Sequence, residues 1–247
     1  MATAAPAYDV VVPYHPKDAP ILPLCIQSLR RYAVGAGTIY VVSAEKPPAF
    51  GKLQALGGVK WIPESAYPIS IENVQAVLQS QKGRQGWYYQ QFLKLYCFDA
   101  IPGLRDTILL FDSDVVLYRR IEFVGPGGAL KLDWSRQYNH PYFEHTERLL
   151  GPLCKRLNMS CSGIVDHIMT TREIVTDLLT TIERLHGRPA WMVMLELLPA
   201  RDREGSGFSE YELLFNWTFI YFPQKAQMRK LAWGHEIQAF HHYGRKD

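Results

Sequence analysis

Cysteine is scarce: four residues, Cys25, Cys97, Cys154 and Cys161, lie scattered along the chain. No two form a C-x-x-C pair, so a zinc site is not indicated. Cys25 and Cys97 fall in apolar helical patterns and are expected as buried thiols, a usage that suits a reducing compartment such as the cytoplasm. Long apolar runs are missing too. No stretch reaches the 18 residues a membrane-spanning helix needs, so a chain acting on membrane glycolipids would approach from the surface. The segment Met1 to Tyr14 lacks the basic start and apolar centre of a secretory signal. Charge of one sign is also in short supply. The net charge is +3 and the densest basic spots are pairs, Arg30-Arg31 and Arg119-Arg120, which argues against nucleic acid as a partner. There is no internal repeat, low-complexity tract or linker, so one domain over residues 1–247 is expected.

What is present is an ordinary globular composition. The 247 residues are 47% apolar and 21% charged, enough for a substantial core. Aromatics are abundant, with 14 Tyr, 11 Phe and 6 Trp. Such rings fill cores first and line sugar or base pockets second.

Strand and helix signals alternate along the first half. Tyr8-Asp9-Val10-Val11-Val12-Pro13-Tyr14 reads as a strand. Ile21, Leu24, Cys25, Ser28, Leu29 and Tyr32 recur at helical spacing. Thr38 to Ser43 is a second strand and Val59 to Ile62 a short third. Helical patterns follow over about 71–82 and 86–99. This order predicts an α/β fold with a mostly parallel sheet. Further on, Gly125-Pro126-Gly127-Gly128 is a loop. A polar, aromatic-rich stretch from Trp134 to Glu147 precedes a helix expected to run to about Leu157. Ser162 to Met169 reads as a strand or strand pair, 172–186 and 208–220 as helices, and Arg201 to Gly207 as a mobile charged loop.

The most informative feature is Asp112-Ser113-Asp114. It follows the apolar run Thr107-Ile108-Leu109-Leu110-Phe111 and precedes Val115-Val116-Leu117. Alternation along an extended chain points residues 112 and 114 the same way. Two carboxylates that close repel, and a hard divalent cation such as Mg²⁺ or Mn²⁺ is the usual reason to tolerate them. A polar turn after a strand would also use Asp. The apolar segments on both sides place the pair inside a layered structure, where ligands sit beyond the carboxyl ends of strands.

Phe92-Leu93-Lys94-Leu95-Tyr96, a short spacer and Ile108 to Leu117 together resemble the central block of glycosyltransferases of the GT-A fold, the glycogenin-like enzymes in particular. Gly86-Trp87-Tyr88-Tyr89-Gln90-Gln91 is similar to a group of bacterial and viral members. The resemblance is specific over about 86–120 and holds in outline over 8–245. It implies a nucleotide-sugar donor, a UDP-sugar by family frequency, and a Mn²⁺ or Mg²⁺ ion bridging its diphosphate. The half at about 8–120 would bind the donor. The half at about 121–247 would bind a glycan, glycolipid or other hydroxyl acceptor. Carried over by position, Asp112 would contact ribose or metal, Asp114 would bind metal, and Ser113 would lie with them in the donor segment. Lys94 would lie near the donor, against the plainer reading of a solvated helix lysine. Pro13, Tyr14 and His15 would cradle base and ribose, with Asp9 a weaker candidate because it falls inside the strand. A late histidine often completes such metal sites, and His242 and His241 are favoured over His235.

Transfer needs a base for the acceptor hydroxyl. Phe208-Ser209-Glu210-Tyr211-Glu212 starts a helix with Ser209 as N-cap. The resemblance favours Glu210 as base, with Asp166 the alternative, and inversion over retention. Of Trp87, Tyr88 and Tyr89, at least one should face a cleft. Two other readings fit the same motif. A haloacid-dehalogenase-like phosphotransferase would use Asp112 as nucleophile and Asp114 as acid/base. A non-catalytic GT-A domain would bind carbohydrate without turnover.

Overall fold

The structure, a computed structural model, describes residues 7–48, 50–157 and 160–240. Its centre is a five-stranded sheet in the order Val59–Pro63, Ala36–Ser43, Tyr8–Pro13, Thr107–Phe111, His167–Thr171. The first four strands pair in parallel and the last is antiparallel. Val10, Val11 and Val12, like Ile108 to Phe111, are wholly shielded from solvent. Their unbroken apolar runs fit a sheet covered on both faces. The strand order reverses beside Tyr8–Pro13, so the crevice opens where that strand and Thr107–Phe111 end. Just past the crevice, Val115–Leu117 pairs antiparallel with Ile237–Ala239 and brings the end of the described chain to the same place.

Asp9 is excluded from that crevice. It sits at the opposite, amino end of its strand, where its carboxylate accepts the Thr38 and Arg105 amides at 2.8 and 3.2 Å. All four cysteines are free and buried.

Several elements depart from the sequence reading. The helix expected up to Leu157 is His140–Leu150 instead. Pro141 suits its first turn, which needs no amide there, and Gly151-Pro152 stops it. The 86–99 helix breaks at Tyr96 into Gln85–Leu95 and Cys97–Ala100. Only His167–Thr171 of the Ser162 region is a strand. The Arg201 to Gly207 loop is tied down. It opens with the short helix Ala200–Arg203, and the Glu204 carboxylate accepts the Gln81 and Lys82 amides and the Ser80 hydroxyl at 2.6–2.9 Å. The Tyr88 hydroxyl donates to the Asp202 carbonyl at 2.7 Å and accepts the Gly207 amide at 3.0 Å. Tyr88 is buried by these contacts and Tyr89 is buried with its hydroxyl donating to the Ile69 carbonyl at 3.2 Å, so of the three adjacent rings Trp87 alone is half-exposed.

Candidate active site

The carboxyl end of Thr107–Phe111 turns tightly into the next strand. The Asp112 amide donates to the Asp166 carbonyl at 3.1 Å, and the Val115 amide to the Asp112 carbonyl at 3.3 Å. The Asp114 carbonyl accepts the Phe240 amide at 2.9 Å. Three separate stretches of chain thus meet at the two aspartates.

Lys94 is not a solvated helix lysine. Its side chain is 3% exposed, and its Nζ lies 2.5 Å from Asp112 Oδ1 and 2.6 Å from Glu210 Oε1. The same ammonium sits 4.0 Å from the Tyr211 ring centroid. Burial by itself lowers the ammonium's pKa, but the two carboxylates outweigh it and the net shift is upward. One cation faces two anions, so the more buried acid remains short of compensation. Burial, opposed by Lys94 and reinforced by Asp112, raises the Glu210 pKa.

Glu210 opens the helix Glu210–Tyr221, where the Ser209 hydroxyl accepts the Glu212 amide at 3.3 Å. The positive end of the helix dipole favours a carboxylate there. The Glu210 amide donates to Gln91 Oε1 at 3.0 Å, and Gln91 lies one turn before Lys94 on the same helix face. The next residue, Tyr211, donates its hydroxyl to Asp112 Oδ1 at 2.7 Å. Burial, then Asp112 and Glu210, push the phenol far up, which keeps it a neutral donor.

Around the second aspartate, Ser113 Oγ donates to Asp18 Oδ2 at 2.8 Å. The buried Cys25 thiol is pushed up by burial and then by the charges of Asp114, Asp112 and Asp18, so three carboxylates bear on one point. Pro13 and Tyr14 are buried at the end of the first strand, and the Tyr14 amide donates to Val42 at 2.7 Å. Burial, then Asp18, raises the Tyr14 pKa. His15 is exposed and accepts the Lys17 amide at 3.1 Å. Asp166 meets the site through its carbonyl, and its charge also bears on the Tyr211 phenol. His241 and His242 lie outside the described residues. Among the described residues, no three His, Cys, Asp or Glu side chains gather into a metal-binding cluster.

Glu212 is fully buried and does other work. Its carboxylate accepts the Gly163 amide at 2.5 Å and the Asn216 amide group at 2.6 Å. Gly163 is the only residue type that fits there, since an added Cβ would lie 2.3 Å from Phe215 Cβ and 3.0 Å from the Tyr211 carbonyl. Gly163→Ala is expected to cost about 1–3 kcal/mol through overpacking, read as a lowered urea midpoint. A variant within 0.5 kcal/mol of wild type would show that the Gly163 segment is free to move away.

Sequence reading missed Asp18, Tyr211 and Gln91. Asp18 had a faint signal, as the acid of the polar segment after the first strand. Tyr211 and Gln91 had none, because their partners are 99 and 119 residues away.

Among solved structures, the chain is similar to core-mannan synthase A from Aspergillus fumigatus in its Mn/GDP form. The identity is 9% over 92% of this chain and 74% of that one, with a TM-score of 0.54. It also matches mouse xyloside xylosyltransferase 1, apo form, at 14% identity over 90% and 84% of the two chains, with a TM-score of 0.46. A complex of the galactosyltransferase LgtC with donor and acceptor sugar analogues matches at 13% identity over 76% and 70%, with a TM-score of 0.41. At such identities the likeness concerns the fold, and the architecture is that of the GT-A glycosyltransferases. No curated protein matches the sequence. A family model described as a family of unknown function (DUF6492) matches residues 19–237, and the chain belongs to that family.

Proposed function

We propose that the protein is a glycosyltransferase that moves a sugar from a nucleotide-sugar donor, a UDP-sugar in the first instance, to a carbohydrate or glycolipid hydroxyl. The observation that carries this reading is the buried group Lys94, Asp112, Glu210 and Tyr211, set at the reversal of strand order in a GT-A sheet. A buried charge cluster is costly to maintain and belongs to the places where function is found.

The donor set fits a hard cation. Asp112 and Asp114 supply carboxylate oxygen, which suits Mn²⁺ or Mg²⁺. The Phe240 amide donates to the Asp114 carbonyl, and His241 or His242 is taken as a further ligand in this reading. Such an ion would supply charge compensation for the departing nucleotide diphosphate. The chain's own residues do the rest. Pro13, Tyr14 and His15 frame the base and ribose. Lys94 and Tyr211 hold Asp112 in one rotamer, and Ser113 is fixed by Asp18. Of the two carboxylates considered as base, Glu210 is 3% exposed and bound to Lys94. We therefore assign it to positioning Lys94. Asp166, half-buried and close to the phenol of Tyr211, takes the role of base for the acceptor proton, which serves an inverting displacement.

The test is a calorimetric titration of UDP, GDP and dTDP, each with and without Mn²⁺, on wild type and Asp114→Ala. One nucleotide should bind in a Mn²⁺-dependent way. The variant should weaken it by more than about a hundredfold, the upper range for losing even an outer-shell partner of a metal. Absence of any nucleotide binding, with a phosphatase activity that Asp112→Asn removes, would replace this reading by the phosphotransferase.

A further inference from the structure

A cavity of about 580 Å³ lies apart from the two aspartates, against the helix His140–Leu150. Its size is that of a small-molecule site. Tyr138 and Phe143 form one wall, their rings stacked 5.1 Å apart at an interplanar angle of 13°. The Arg156 guanidinium braces both rings, 5.0 and 4.6 Å from their centroids. Tyr138 is nevertheless 57% exposed, the most open of the large apolar side chains described. A rigid, braced and exposed ring platform adds nothing to the core. Glu144 and Glu147 face Lys155 and Arg156 in the lining, with Thr146 and Asn216 among the neutral polar groups, so hydrogen-bonding groups of both signs surround the rings.

We infer that this cavity binds a neutral hexopyranose unit of the acceptor, away from the reacting centre. A pyranose ring has an apolar face of C–H groups that stacks on an aromatic ring, and a rim of hydroxyls that both donate and accept. The lining offers both features and no excess of one charge that would call for an anionic sugar. Two connections tie the cavity to the reacting centre. Asn216 stands on the helix that begins at Glu210, six residues on and so roughly 9 Å along its axis. Its amide group donates to Glu212, whose carboxylate holds the Gly163 amide in the segment leading to Asp166. Behind the ring wall, Tyr142 precedes Phe143 on the helix His140–Leu150, and its phenol already feels the Glu210 charge. The assignment as an acceptor subsite rests on the glycosyltransferase reading, whereas the sugar binding itself does not.

Saturation-transfer NMR on the full chain tests it, with maltotriose, cellotriose and mannotriose as probes at millimolar concentration. Wild type should transfer saturation to at least one trisaccharide. Tyr138→Ala should reduce that transfer at least about fivefold, the loss of one stacking ring. Phe143→Leu should give an intermediate effect. Tyr138 is exposed, so an unchanged thermal midpoint and unchanged Mn²⁺-nucleotide binding should show that the variant is intact. Absence of transfer to all three sugars, or equal transfer in Tyr138→Ala, would overturn the inference. Sugar binding that persists in a protein with no nucleotide affinity would instead overturn the glycosyltransferase reading and leave the cavity as a carbohydrate site.

Discussion

Lys94→Met is expected to destabilise the protein by about 3–5 kcal/mol, the cost of removing one partner from a buried ion pair. The ammonium is 3% exposed and stands between carboxylates at 2.5 and 2.6 Å. Without it, the buried Glu210 carboxylate is left facing the charge of Asp112 with no cation between them. The least costly escape is to protonate Glu210, whose pKa burial already raises. The sign of the pH dependence follows. In the variant the folded state holds a proton on Glu210 that the unfolded chain has released above its ordinary value of about 4.3. The native state then binds more protons than the unfolded one, so stability falls as pH rises through that window. Urea unfolding at pH 5 and pH 8 should show the larger deficit at pH 8. Adding Glu210→Gln should recover part of the loss, because it removes one of the two stranded charges. Lys94→Arg should not recover it, since a planar guanidinium is larger than the space an ammonium fills. A deficit below 1 kcal/mol, or one equal at both pH values, would mean that water reaches the cluster.

His145 should make the protein acid-sensitive before its carboxylates do. It lies fully buried on His140–Leu150, stacked on Phe208 with ring centroids 4.9 Å apart and hydrogen-bonded to the Met194 carbonyl at 2.7 Å. Burial, opposed by that carbonyl and aided by Arg148, lowers its pKa from 6.5 to about 4. Between those values the unfolded chain takes up a proton that the folded one refuses. Stability therefore falls as pH drops from 6.5 to 4, by about 3 kcal/mol in all. Urea midpoints at pH 7.5, 5.5 and 4.5 on wild type and His145→Gln would measure it, with the difference between the two proteins changing across the series. A constant difference would show that His145 titrates normally. The point bears on function, because Phe208 leads directly into Ser209 and Glu210. Loosening that stacking would disturb the helix start that positions Lys94.

The sequence by itself determined the elements whose signal is local. The unbroken apolar runs at Val10–Val12 and Ile108–Phe111 announced strands, and packing buried them completely. The helical period over 172–186 predicted a helix whose bounds are Arg172–His186. Asp112-Ser113-Asp114 marked the crevice because two carboxylates beside apolar strands are anomalous without any knowledge of their neighbours. Only the tertiary structure decided that Lys94 is buried. Along its own helix a lysine reads as surface, and its partners Asp112 and Glu210 are 18 and 116 residues distant. The same holds for Tyr211 on Asp112, for Asp18 on Ser113, and for the Arg201 to Gly207 segment, which looked mobile until Tyr88 and Ser80 were seen to hold it. The early start of His140–Leu150 belongs here too, and with it the Tyr138–Phe143 platform. Periodicity and propensity report what a residue does along its own chain. Ion pairs, caps from distant loops and stacked rings depend on which surfaces packing brings together, and that information is spread over the whole fold.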